Sequence, residues 1–101
     1  MKVIRERDVE RYLAHRAQAL GGEVRKVQWL GRRAAPDRVV MLPAPAPSRT
    51  VWVELKAPRR KPSYAQQREH ERMRRAGQDV RVIDSFEGVD ALFAELAEGA
   101  A

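Results

Sequence analysis

The 101-residue chain contains no cysteine, which excludes a disulfide framework, a thiolate zinc site and a cysteine nucleophile together. Long apolar runs are missing as well. No stretch approaches the roughly 18 residues that a membrane helix needs, and the opening MKVIRERDVE carries charge where a signal peptide would be apolar. A cytoplasmic protein without a membrane partner is expected. Histidine is scarce. His15 and His70 each fall on a predicted helix without a second histidine or a cysteine at ligand spacing, so neither is expected to bind metal. Aromatic residues make up 6% of the chain. Trp29 and Trp52 fall on predicted strands, where large aromatics usually serve a core rather than stack on bases.

Acidic residues are in deficit, 14 against 20 lysines and arginines, for a formal charge of +6. That balance favours a polyanionic partner, with nucleic acid the leading candidate. The basic groups are mostly arginine, whose planar fork suits phosphate. Hydrophobic residues at 44% and charged residues at 34% describe a globular chain, and its length suits one domain spanning residues 1–101.

Apolar residues Val9, Tyr12, Leu13, Ala17 and Leu20, with the aliphatic stem of Arg16, recur at a helical period that Gly21-Gly22 stops. Residues 23–30 alternate as a strand that runs into the basic loop Gly31-Arg32-Arg33-Ala34-Ala35-Pro36. Residues 37–42 follow as a short apolar strand of the kind buried on both sides. The proline-rich segment 43–48 lacks the N–H groups for a regular ladder, so it should connect a hairpin. The third strand, 50–56, alternates Val51, Val53 and Leu55 on one side with Trp52, Glu54 and Lys56 on the other.

A loop with Arg59-Arg60-Lys61 leads to Ser63, a helix cap, and to a very polar helix over 64–76 with Tyr64, Ala65, Met73 and Ala76 as its narrow inward stripe. A strand over 79–83 and a helix over 87–98, burying Val89, Leu92, Phe93 and Leu96, complete the chain. The order α-β-β-β-α-β-α predicts an α/β fold, a mixed sheet flanked by helices.

Glu54 and Lys56 lie two apart on a strand and so leave it on one face. Asp37 opens the neighbouring strand, where a hairpin brings its carboxylate toward Glu54. Two converging carboxylates repel, and a hard divalent cation such as magnesium or manganese relieves that repulsion while leaving positions for water and phosphate. The backbone carbonyl of Leu55 is a further candidate ligand, and the Lys56 ammonium is suited to orient a water or stabilise an anionic transition state. Taken alone, E-L-K is also an ordinary surface pair and P-D an ordinary turn opening.

The ordered blocks G-G-E-V-R-K, G-R-R-A-A-P-D-R-V-V, V-W-V-E-L-K-A-P, S-Y-A-Q-Q-R-E-H and A-G-Q-D-V-R-V-I-D-S resemble the VRR-NUC nuclease family, particularly its compact phage and bacterial members. The resemblance covers residues 6–85. It implies a restriction-endonuclease-like core and a PD-(D/E)xK site: Asp37 and Glu54 as metal carboxylates, Lys56 as the catalytic lysine, and Gln66, beside Gln67, as the helix glutamine. A first-helix glutamate completes that site, with Glu10 preferred at the border of the apolar stripe and Glu6 one turn earlier as the alternative.

Lys26 and Gly31 match family positions, Lys26 as a contact to the DNA backbone. Arg32, Arg33, Arg59, Arg60, Lys61 and Arg68 would grip phosphates around the centre. Many relatives have glycine just before the hydrophobic-Pro-Asp segment, where this chain has Ala34-Ala35, which puts that loop's conformation in question. The implied activity is metal-dependent cleavage of branched DNA, foremost four-way (Holliday) junctions, by a homodimer. A flap or nicking nuclease and a non-catalytic DNA-binding module are the alternatives.

Overall fold

The computed structural model describes residues 3–43 and 49–99. Its elements are α1 (Glu6–Ala19), β1 (Glu23–Lys26), β2 (Arg38–Leu42), β3 (Arg49–Leu55), α2 (Tyr64–Arg75), β4 (Val80–Ile83) and α3 (Phe86–Gly99). The strands form one sheet in the order β1-β2-β3-β4. The β1–β2 and β2–β3 pairs are antiparallel, whereas β3 and β4 are parallel. A parallel pair cannot be joined by a tight turn, so the chain between β3 and β4 crosses over through α2. The fold is the expected α/β arrangement, a mixed sheet flanked by helices. Most of the predicted 43–48 connection lies outside the described residues.

Helix α1 buries Val9, Leu13 and Ala17 completely, one residue per turn along a single stripe. At its start the Arg5 N–H donates to the Asp8 carboxylate at 2.8 Å. At its end Gly22 N–H returns to the Ala17 carbonyl at 2.8 Å. A side chain at Gly22 would place its Cβ 2.5 Å from the Met41 carbonyl oxygen, so only glycine lets α1 turn this closely into the sheet. The α1 stripe meets Val40, Val51, Val53, Leu55 and Ile83 of the sheet, together with Val89, Leu92, Phe93 and Leu96 of α3. Each fully buried side chain of this size contributes about 1.5–3 kcal/mol.

Four expectations need correction. Strand β1 ends at Lys26, and only Val27 N–H, donating to Asp37 O at 3.0 Å, extends its ladder. Trp29 is therefore not on a strand: its indole N–H turns back to the Pro36 carbonyl at 2.8 Å, and its ring packs at 5.2 Å on Trp52. Leu20 is 56% exposed, because it caps α1 with non-helical dihedrals and the helical period no longer directs it. In β2, Val39 and Val40 are buried but Met41 is 38% exposed, since α2 shields the sheet on the β4 side and leaves Met41, at the far end of β2, partly open to solvent.

The fourth correction concerns α2. Tyr64 is 75% exposed, and the buried residues are Glu69 and His70, at 3% and 1%. The helix covers a charged strand end rather than an apolar sheet face, so polar residues occupy its inner positions, Glu69 paired with Arg32 and Arg72 and His70 3.7 Å from Glu54.

Candidate active site

Pairing of Arg38 with Val53, extended by one residue, sets Asp37 opposite Glu54 at the end of β2 and β3. Glu54 is 5% exposed, and its Oε2 lies 3.9 Å from the Lys56 ammonium. Burial, and next the negative charge of Asp37, raise the Glu54 carboxyl from 4.5 to about 7, against the opposing pull of Lys56. Among the described residues, Asp37 Oδ1 and Glu54 Oε1 are buried without a hydrogen-bond partner. Unpaired buried carboxylate oxygens are costly and call for a compensating donor or cation.

Arg38 organises the approach to this pair. Its guanidinium is nearly buried, lies 3.0 Å from Asp37 Oδ2 and also binds the Glu10 carboxylate. Glu10 thus reaches the strand ends from α1 through an ion pair. Glu6, one turn earlier, raises the Glu54 carboxyl by its charge, so both first-helix candidates act on the same corner of the sheet.

Extending the β2–β3 register by two residues puts Pro36 opposite Leu55. Trp52 and Lys56 N–H groups donate to Asp79 and Ile83 of the β4 side at 2.8 and 3.0 Å, so the alternation of a strand directs the Leu55 carbonyl to the β2 side. Proline has no N–H to offer there, which leaves the Leu55 oxygen beside Asp37 without a ladder donor.

Behind Glu54 stands His70, its Nε2 3.7 Å from Glu54 Oε1 and without a hydrogen-bond partner among the described residues. Burial, then the Arg74 charge, push the imidazole below its ordinary range, which keeps it neutral. Gln66 lies in the first turn of α2, where its Oε1 accepts from Ser63 N–H at 2.9 Å while Ser63 Oγ accepts from Gln66 N–H at 3.1 Å. This reciprocal cap occupies the carbonyl end of the Gln66 amide. Gln67 donates to the Pro62 carbonyl at 3.1 Å.

Lys26 is exposed at the end of β1, beside Arg38 in the β1–β2 register. Arg59, Arg60 and Lys61 are exposed in the loop that follows Lys56-Ala57-Pro58, and Arg59 takes the left-handed conformation with φ of 67°. Arg32, Arg33 and Arg68 line a cleft between the 31–34 loop and α2, with Arg32 paired to Glu69 at 3.0 Å.

Among the described residues, no three acidic, histidine or cysteine side chains form a cation cage. The available donor set is two carboxylates and a main-chain oxygen, the hard oxygen ligands that magnesium or manganese accept while keeping several waters. Sequence reasoning passed over Arg38, Glu69 and the placement of His70. For Arg38 a signal existed: a charged residue beside the apolar run Val39-Val40 in a buried strand needs a partner.

In comparisons with known proteins, no family model matches the chain. The chain is 41% identical over 85 residues to "Putative nuclease p44" of Acyrthosiphon pisum secondary endosymbiont phage 1, covering 84% of this chain and 88% of that protein. A solved structure described as a VRR_NUC domain superposes with a TM-score of 0.78 at 43% identity, covering 88% of this chain and 94% of its own. No helix among the described residues is long and apolar enough to cross a membrane. With the sheet order, the paired strand-end carboxylates and these two relatives in agreement, the chain belongs to the VRR-NUC family of nucleases.

Proposed function

We propose that residues 1–101 act as one domain that hydrolyses phosphodiester bonds in DNA at the Asp37–Glu54–Lys56 corner, dependent on magnesium or manganese. The observation that carries this reading is the pair of buried oxygens on Asp37 and Glu54 without a partner among the described residues, with the Lys56 ammonium 3.9 Å from Glu54 Oε2. Asp37, Glu54 and the Leu55 carbonyl would hold the cation, with Glu10 or Glu6 completing its outer environment through α1. A divalent cation bound there supplies a water of lowered pKa and offsets charge that develops on the phosphate.

The remaining work falls to the chain itself. Lys56 orients the attacking water or stabilises the negative charge growing on the phosphate oxygens. His70 and the α2 backbone exclude solvent behind Glu54, which strengthens electrostatics on the open side. Gln66, its Oε1 held in the cap, keeps its amide N–H groups for a phosphate or water. Lys26, Arg59, Arg60 and Lys61 bind backbone phosphates around the corner without reading bases.

A homodimer would present two such corners to the two-fold symmetry of a four-way junction, so branched DNA is the proposed substrate. The test is a panel of labelled four-way junctions, flaps, nicked and linear duplexes incubated with magnesium or manganese. Paired cuts in the junction by a dimer are expected. Flap or nick cleavage by a monomer, with junctions untouched, would replace the junction reading, and DNA binding without any cleavage would leave only a binding module.

A further inference from the structure

Between the 31–34 loop and α2 lies a cleft of about 270 Å³ lined by Arg32, Arg33, Arg68, Arg72 and Glu69. Four guanidiniums thus share one cleft with a single carboxylate. Glu69 is 3% exposed; its Oε2 accepts from Arg32 Nε at 3.0 Å and its Oε1 from Arg72 Nε at 3.0 Å. Both guanidiniums are fixed by a buried acid, yet each remains about half exposed, at 51% and 44%. Arg33 and Arg68 add two cations without an acidic partner among the described residues.

The loop is shaped to this end. Gly31 and Ala34 both take left-handed backbone conformations, with φ of 70° and 66°, and bracket the Arg32-Arg33 pair. The Arg32–Glu69 contact then fastens the loop to α2 across 37 positions of sequence. Like charges gathered at this density repel unless an anion joins them, and pre-oriented guanidiniums match the oxygens of a phosphate. The residue after Glu69 is His70, which faces Glu54. Consecutive residues of α2 therefore connect the arginine cleft, through Glu69, to the back of the proposed cutting centre, through His70.

We infer that this cleft binds a phosphate group of the DNA strand other than the one being cut, with Glu69 as the positioning residue that pre-orients Arg32 and Arg72. The inference rests on DNA being the substrate, and it adds a second anchor that fixes the strand's register at the Asp37–Glu54 corner. The phosphate is either an internal diester or a terminal monoester, which share the same oxygen chemistry.

The test uses the full chain and labelled duplex DNA, with binding read by fluorescence anisotropy in EDTA so that cleavage plays no part. Glu69→Gln makes the protein more positive by one charge, so general electrostatic attraction would tighten binding. The inference expects the reverse, a loss of ~10-fold, the size of one disrupted charge-assisted contact. Arg33→Gln/Arg68→Gln, at exposed positions, is compared with Arg7→Gln/Arg11→Gln, which removes equal charge at exposed positions of α1. The cleft pair should lose ~10-fold more affinity than the control pair.

Duplexes with phosphorylated ends, dephosphorylated ends or no ends at all identify the source. A cleft effect confined to phosphorylated ends assigns a terminal phosphate, and one that persists on closed circles assigns an internal diester. A cleft pair that loses no more than the control pair overturns the inference whatever Glu69→Gln does, as does undiminished binding by a folded Glu69→Gln protein. A chain that binds in this way but never cuts would sink the catalytic reading and leave the cleft assignment standing.

Discussion

Nε2 of His70 lies 3.7 Å from Oε1 of Glu54, both atoms are buried, and neither has a hydrogen-bond partner among the described residues. The gap is about half an ångström longer than the longest ordinary N–H···O hydrogen bond. A neutral imidazole that carries its proton on Nε2 would close the gap once Glu54 is ionised, and would hold the carboxylate in one orientation. Support of this kind behind a metal carboxylate is worth about 10–100-fold in metal affinity or activity. His70→Ala is expected to weaken manganese binding within that range in a titration followed by calorimetry. His70→Asn, which keeps an N–H donor, should recover part of the loss. Equal losses in both variants, or none, would remove His70 from the site.

Glu54 also makes stability depend on pH. Its carboxyl is raised from 4.5 to about 7, so the folded state disfavours the charged form that the unfolded chain adopts more easily. The resulting penalty is absent below about pH 4.5, grows between there and pH 7, and is complete above. Without divalent ions, Glu54→Gln should therefore be more stable than the parent at pH 8 by about 1–3 kcal/mol. The difference should fade as the pH approaches 4.5. Thermal unfolding of both proteins across this range in EDTA measures it; a parent that is the more stable at pH 8 would refute the assignment of strain to Glu54.

Arg38 shows the opposite economy. Its nearly buried guanidinium joins Glu10 of α1 to Asp37 at the start of β2, so its removal leaves two acids facing each other in a half-buried corner. The two acids are a third to a half exposed, so the loss falls between the surface and the buried case, at about 1–3 kcal/mol. Arg38→Met should lose that amount of unfolding free energy in chemical denaturation, while a loss under 1 kcal/mol on the same scale would mean the pair behaves as a surface contact.

Ala34 holds φ of 66°, a left-handed conformation that costs an L-residue roughly 1–2 kcal/mol and glycine nothing. The greater freedom of glycine in the unfolded chain returns part of this. Ala34→Gly should thus raise stability by about 0.5–1 kcal/mol in chemical denaturation, and a destabilised variant would show that the loop is held otherwise.

The sequence displayed the element order because strand alternation at Val51, Val53 and Leu55 and the helical stripe of Val9, Leu13 and Ala17 are local patterns. Facing Asp37 with Glu54 was also legible, since a hairpin between adjacent strands leaves few registers. What escaped were residues whose meaning depends on distant partners. Glu69 and His70 look like solvent-facing members of a polar helix until Arg32 and Glu54 are brought beside them by the crossover. Trp29 was read as a strand residue because its return to Pro36 has no periodic signature. The choice between Glu10 and Glu6 turns on the position of Arg38, which helix periodicity does not encode.

The central claim is that Asp37 and Glu54 form one cation-dependent cutting centre. Its most direct measurement is single-turnover cleavage of a labelled four-way junction by the parent and by Asp37→Asn, each with manganese and with EDTA, beside DNA affinity in EDTA. The expected result is cutting by the parent only when manganese is present and a loss of at least ~10³-fold in Asp37→Asn, with DNA affinity nearly unchanged. Cutting by the parent in EDTA, or undiminished cutting by Asp37→Asn, would contradict it.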